Sequence, residues 1–184
     1  MFIFILLGLI FLVILILFSF PQFSPIPYFP SNKHDLPKIL KALDIQNDQV
    51  LIDLGAGDGV IIFEAAKEAY RKKLNTKFIA IDINPVLVFI MHLRLLLHPN
   101  RKNIIILKND MFGIDFNKVL TFEFCVLTFY LYISPRFLNP MAERISKLKG
   151  KKKIVSYFYS IPNLKKKEKV IEGKNRIYVY EDRS

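Results

Sequence analysis

The residues of this chain best placed to do chemistry are a glycine-rich turn and three acids. The turn reads Asp53-Leu54-Gly55-Ala56-Gly57-Asp58-Gly59 and closes the apolar run that begins at Val50. Glycines at such a turn let the backbone bend tightly and bring its N–H groups close to a ligand. A dinucleotide fingerprint has the spacing G-x-G-x-x-G. Counted from Gly55, that spacing puts Val60 where the third glycine belongs. Two acids in the loop, Asp53 and Asp58, would repel a pyrophosphate but suit a ligand carrying an ammonium and a sulfonium. Asp82 ends a second apolar run, and Asn109-Asp110-Met111 follows a third. The acids are 29 residues apart (53 to 82) and then 28 (82 to 110). One such turn alone is as often structural as functional; acids recurring at three strand ends point to a site.

The elements that must position these residues alternate in type. Strands are expected at 50–54, 78–82, 103–107, 122–129 and 154–159. Helices are expected at 36–43, capped by Asp35, then near 61–72, at 85–97 with proline in the first turn, and at 139–148. The stretch 170–180 reads as a hairpin. Strands alternating with helices imply an α/β fold with a doubly wound, mostly parallel sheet, here of seven strands. The crossover from Met111 to Thr121 is too short for a long helix.

The N-terminus is different in kind. Of its first 20 residues, 18 are apolar, and no charged residue precedes Lys33. Residues 1–20 are therefore expected to be a single transmembrane helix and not a cleaved signal, which would need basic residues first and a small-residue cleavage site. Lys33, Lys38 and Lys41 follow the segment, so the body is expected on the cytoplasmic side. Prolines at 21, 25, 27 and 30 make 21–34 a stiff linker, with 35–184 as the folded domain.

The ligand that the turn and acids describe is S-adenosylmethionine. From Asp35 to about Asp182 the chain resembles class I S-adenosylmethionine-dependent methyltransferases, which have a Rossmann-like fold. The resemblance implies that Asp53 holds the methionine end of the cofactor. Gly55, Ala56, Gly57, Asp58 and Gly59 would form the cofactor loop. Asp82 would bind the ribose hydroxyls, Ile83 would pack on adenine, and Asn109, Asp110 and Met111 would form the adenine-side turn. Pro27-Tyr28-Phe29-Pro30-Ser31, the loop and the apolar N-terminus together resemble a smaller, membrane-anchored group. That group includes the mitochondrial enzyme that methylates a lysine of the ATP synthase c-subunit. The resemblance implies that Tyr28 and Ser31 fold over the methionine end. This chain departs from the group in having Ala56 and Val60 in the loop, and Asp82-Ile83 after the second strand.

Phe129, Tyr130 and Tyr132 are expected to wall the methyl-transfer site, with Tyr130, Phe129 and Tyr28 nearest the chemistry. The acceptor expected is a protein lysine. A small molecule or phospholipid is the alternative, and a catalytically silent tethered binding module a further one. Ser134-Pro135-Arg136 replaces the Asn/Asp-Pro-Pro-aromatic motif of nucleobase methyltransferases, so nucleic acid is not the expected substrate. The three histidines lack metal-ligand spacing, and no metal site is expected. Cys125 is expected in the core of an apolar strand. The net charge is +11; from residue 141 onward 13 Lys plus Arg face 5 Asp plus Glu, a net +8. That basic third, with its runs at 151–153 and 165–167, could meet anionic lipid.

Overall fold

The computed structural model describes residues 2–19, 31–120 and 124–181. Apolar runs without alternation, such as Val50-Leu51-Ile52, need cover on both faces. β1 (Gln49–Leu54), β2 (Lys77–Asp82), β3 (Ile104–Lys108), β4 (Val126–Leu131) and β5 (Lys151–Tyr157) pair in parallel. β6 (Glu168–Ile171) and β7 (Ile177–Glu181) form an antiparallel hairpin, and β7 docks antiparallel on β5. The strand order is β3-β2-β1-β4-β5-β7-β6. α2 (Leu36–Leu43), α3 (Val60–Lys72) and α4 (Pro85–Leu96) cover one face, around Ile39, Ile62, Phe78 and Ala80. α5 (Phe116–Val119) and α6 (Pro135–Ser146) cover the other, around Ile52, Ile81, Leu138 and Met141. The expected doubly wound, seven-stranded α/β sheet is the observed one.

Several local expectations change. The fourth strand starts at Val126, and Cys125 lies exposed before it, its N–H donating to the carbonyl of Asp48 at 2.7 Å. α6 starts at Pro135, whose fixed φ suits a first turn, four residues before the expected start. The basic run 151–153 opens β5, with Lys151 exposed and the burial increasing to Lys153. Lys153 is buried there, with its ammonium 3.5 Å from Glu181 and 3.9 Å from Asp44.

The expected anchor forms helix α1 (Phe2–Ser19), with residues 2–12 exposed. Its 18 residues rise about 27 Å at about 1.5 Å each, against a hydrocarbon core of about 30 Å. Among the described residues no helix is long and apolar enough to cross a membrane. The single-pass span over 1–20 is thus not established. Most of the linker expected at 21–34 lies outside the described residues.

Asp35 precedes α2 as expected, but its side chain makes no cap hydrogen bond. Its buried carboxylate instead accepts the N–H of Lys174 at 2.6 Å, the N–H of Asn175 at 2.8 Å and the Tyr157 hydroxyl at 2.8 Å. The tip of the β6–β7 hairpin is thereby fastened to the entry of α2. Asp35→Ala strands these donors. It is expected to cost about 2–3 kcal/mol of stability, read as a lowered thermal or denaturant midpoint.

Candidate active site

The strand order reverses between β1 and β4, and in open α/β sheets a crevice forms at such a reversal, outside the carboxyl ends of the strands. Asp53 pairs in register with Ala80 on one side and Tyr130 on the other. Side chains alternate along a strand, so Asp53, Asp82, Tyr130 and Tyr157 share the face covered by α2, α3 and α4. All four stand at or next to the C-terminal ends of their strands.

The turn after β1 needs its glycines. Gly55, Gly57 and Gly59 have φ of 82°, 60° and 78°, the left-handed region that side chains rarely adopt. A Cβ on Gly59 would lie 2.8 Å from the Phe63 ring and 3.0 Å from the Met91 side chain. Gly59 therefore packs the loop onto α3 and α4. The N–H groups of Gly55 and Ala56 both donate to the carbonyl of Ile81 at 2.9 Å, drawing the loop against the end of β2.

Asp82 completes that brace. One carboxylate oxygen accepts the Gly57 N–H at 2.7 Å, and the other accepts the Asn84 N–H at 2.8 Å. Each oxygen retains a lone pair, which suits a vicinal diol as donor. Asn84 caps α4 by accepting the N–H groups of Val86 and Leu87, and Pro85 follows at the first turn. Ile83 is exposed between them, positioned as a flat apolar platform. The chain after β3 returns to the same place, with the Asn109 N–H donating to the Asp82 carbonyl at 3.0 Å. Asp110 turns this loop by accepting the N–H of Phe112 at 3.0 Å.

Some expected members stand elsewhere. The Asp58 carboxylate pairs with Arg94 of α4 at 2.7 Å, which partly offsets its charge. The repulsion that argued against a pyrophosphate thus rests mainly on Asp53, with Asp58 acting as a brace between loop and α4. Met111 packs into the core under α5 and α6. Phe129 also points to that side, edge-on to Phe116 with ring centroids 5.7 Å apart, and does not join the cleft. Its register partner Ile52 faces the same way, which is the alternation of the strand at work. Tyr28 lies outside the described residues.

Burial drives the electrostatics. Asp53 is fully enclosed, and desolvation, then the charges of Asp82 and Asp58, hold its carboxyl well above the usual carboxylate range. Desolvation also raises Asp82, while its hydrogen bonds from Asn84 and Gly57 pull the other way. A cationic ligand relieves this repulsion. Burial pushes the Tyr130 hydroxyl well above its ordinary value, so it stays neutral at physiological pH. It lies 2.9 Å from the Ser31 hydroxyl, which brings the end of the linker onto the cleft.

Beside Tyr130 stands an aromatic group that the sequence only half revealed. Tyr132 meets Tyr157 edge-on, with centroids 4.9 Å apart, and Phe158 at 6.5 Å. Phe158 has a φ of 76°. That conformation is costly for a bulky residue and tends to occur where surrounding structure enforces it at functional sites. Its N–H donates to the carbonyl of Arg176 at 2.8 Å, which helps hold the turn. Tyr157, Phe158 and Arg94 were not legible as site residues: no motif marks them, and only the fold brings them there. Pro85 marked the start of α4 in the sequence; Asn84 as its cap was missed, although an Asn just before a helix proline is a signal that could have found it.

The comparisons with known proteins agree with this architecture. No family model matches the chain. A protein-lysine N-methyltransferase of Saccharolobus islandicus is 28% identical over 165 residues, covering 84% of this chain and 92% of the relative. The ATP synthase c-subunit lysine N-methyltransferase of Caenorhabditis elegans is 20% identical, covering 84% of this chain and 80% of the relative. In fold, the chain is similar to an RNA methyltransferase of Salinibacter ruber solved with S-adenosyl-L-homocysteine. That match has a TM-score of 0.67 and 21% identity, covering 83% of this chain and 93% of the other. The fold is that of S-adenosylmethionine-dependent methyltransferases. Both of these sequence relatives are named for lysine.

The residues present fit that cofactor. Asp82 and Ile83 suit its ribose and adenine, and buried Asp53 suits its cationic methionine end. Asp82→Ala removes charged hydrogen bonds worth about 1.5–3 kcal/mol, so calorimetry is expected to show S-adenosylmethionine affinity falling roughly 10- to 150-fold. Affinity also depends on pH with a definite sign. The ligand's positive charge favours ionised Asp53, and in the free protein that carboxyl is raised. Affinity should therefore fall as pH drops through the raised value and level off above it. A calorimetric pH series on Asp53→Asn should be flatter.

Proposed function

We propose that this S-adenosylmethionine-dependent methyltransferase acts on the ε-amine of a protein lysine. The reading is carried by the aromatic group Tyr132, Tyr157 and Phe158 beside the neutral Tyr130 hydroxyl. The two lysine methyltransferases among its sequence relatives support it. The cofactor supplies a methyl group on a sulfonium, open to in-line attack by an amine lone pair. The attacking amine must be neutral. For a lysine of pKa about 10.4, deprotonation at pH 7 costs about 4.6 kcal/mol. Aromatic walls that exclude water disfavour the ammonium and offset part of that cost. Tyr130 cannot serve as a base while its proton is held so firmly. Its part is to orient groups by hydrogen bonding, together with Ser31. Asp53 and Asp82 fix the cofactor, so rate comes mainly from alignment and a dry site.

We further propose that α1 tethers the enzyme to a membrane, with 21–34 as linker, 35–184 as catalytic domain, and that domain on the cytoplasmic side. The largely apolar, uncharged composition of α1 and the first basic residues at Lys33, Lys38 and Lys41 support this. The acceptor would then be presented near the bilayer. The test is to incubate membranes with the protein and cofactor radiolabelled in its methyl group, then hydrolyse the proteins. Label is expected in protein bands and in methylated lysine. Label found in extracted lipid and absent from protein would overturn the lysine reading in favour of a phospholipid acceptor.

A further inference from the structure

We propose that α4 is a second membrane contact, lying along an anionic bilayer surface with its outer face in the headgroup region. The observation is a stripe of large apolar side chains that the fold leaves uncovered. The inner face of α4 is used up by Leu87, Val88 and Met91, which pack on the sheet. On its outer face Phe89 is 61% exposed, Leu93 50% and Leu96 63%, and Leu97, just past the helix end, is 93% exposed. The spacing of four and then three keeps the first three on one side of the helix. Contiguous exposed apolar surface of this kind, rimmed by charge, marks an interaction site.

Three further features choose lipid as the occupant. The first is charge: Lys73 at the end of α3, and Arg101 and Lys102 just beyond α4, are exposed and flank the stripe. They line, with Tyr70, Leu96 and Leu97, a shallow groove of about 730 Å³. An apolar face with basic residues and an aromatic at its border is the pattern of helices that lie in a membrane interface. The second is continuity: α1, whose described side chains are exposed and apolar, runs close to α4, and the stripe stays exposed even so. The third is position. β3, under α4, is one edge of the sheet and β6 is the other, six strand spacings or about 29 Å away. The basic segment 162–167 belongs to that far edge and has no comparable apolar stripe beside it among the described residues. Of the two basic regions, the one next to α4 is therefore the one that meets the bilayer.

This inference extends the tethering part of the proposed function and does not depend on the acceptor. The chain contains no tryptophan, so Leu93→Trp in the full chain places a single probe on the stripe. The chain is reconstituted with phosphatidylcholine–phosphatidylglycerol vesicles, with brominated acyl chains as quencher. Expected are a blue shift and quenching of the new tryptophan. Both should shrink when phosphatidylglycerol is omitted, or when Arg101 and Lys102 are changed to Gln. Leu97→Trp gives an independent probe should the first variant fold poorly. A tryptophan that stays unquenched while the chain floats with the vesicles would leave α1 as an anchor and overturn the contact through α4. A blue shift without vesicles that grows with protein concentration would also overturn it, in favour of pairing between copies. Cofactor calorimetry on the same variants reads the methyltransferase function separately.

Discussion

Everything at the cleft depends on one carboxylate held between two loops. Asp82 ends β2 and accepts from Gly57, in the turn after β1, and from Asn84, at the start of α4. A charged acceptor bound by two backbone N–H groups is stronger than neutral hydrogen bonds. It locks the glycine turn, which has little stiffness of its own, onto the neighbouring strand end. The two Ile81 contacts and the Asn109 N–H pull the same three segments together. The result is a cradle braced by the protein's own hydrogen bonds, and such bracing lowers the entropy lost on binding.

The cradle carries an electrostatic cost. Asp53 and Asp82 are both buried and both raised. The chain relieves the third acid, Asp58, through Arg94 but leaves the other two for a ligand to neutralise. A buried pair of like charges is tolerable when its function is to receive a cation. Asp53, buried beside the glycine turn, is the acid that sets this cleft apart, since an acid on the ribose such as Asp82 also occurs in dinucleotide sites.

The sheet and the glycine turn were readable in the sequence because both rest on local chemistry. Val50-Leu51-Ile52 is apolar without alternation, Pro85 is a helix start, and three glycines allow left-handed turns. Asp53 and Asp82 were readable for the same reason, as acids at strand ends. What was not readable depends on which way a side chain faces after distant segments meet. Phe129 and Tyr130 are neighbours in sequence, yet one packs on Phe116 and the other faces Asp53. Asp35 looked like a helix cap because its hairpin partners lie 139 and 140 residues away. Lys153 was read only as part of a basic run that could meet lipid, because its partners Asp44 and Glu181 lie far from it in sequence. Cys125 looked buried because the start of β4 could not be fixed to within four residues.

The knot at Asp35 also sets an order of events during synthesis. Asp35 stands just before α2, and its partners Lys174 and Asn175 follow it by 139 and 140 residues. The entry of α2 therefore cannot be fastened until the β6–β7 hairpin has been made. Long-range closure of this kind is slow, since a long loop must be ordered before its contacts form. The apolar α1 emerges long before that closure. Whatever α1 meets as it emerges, it meets before the fastening at Asp35 can form.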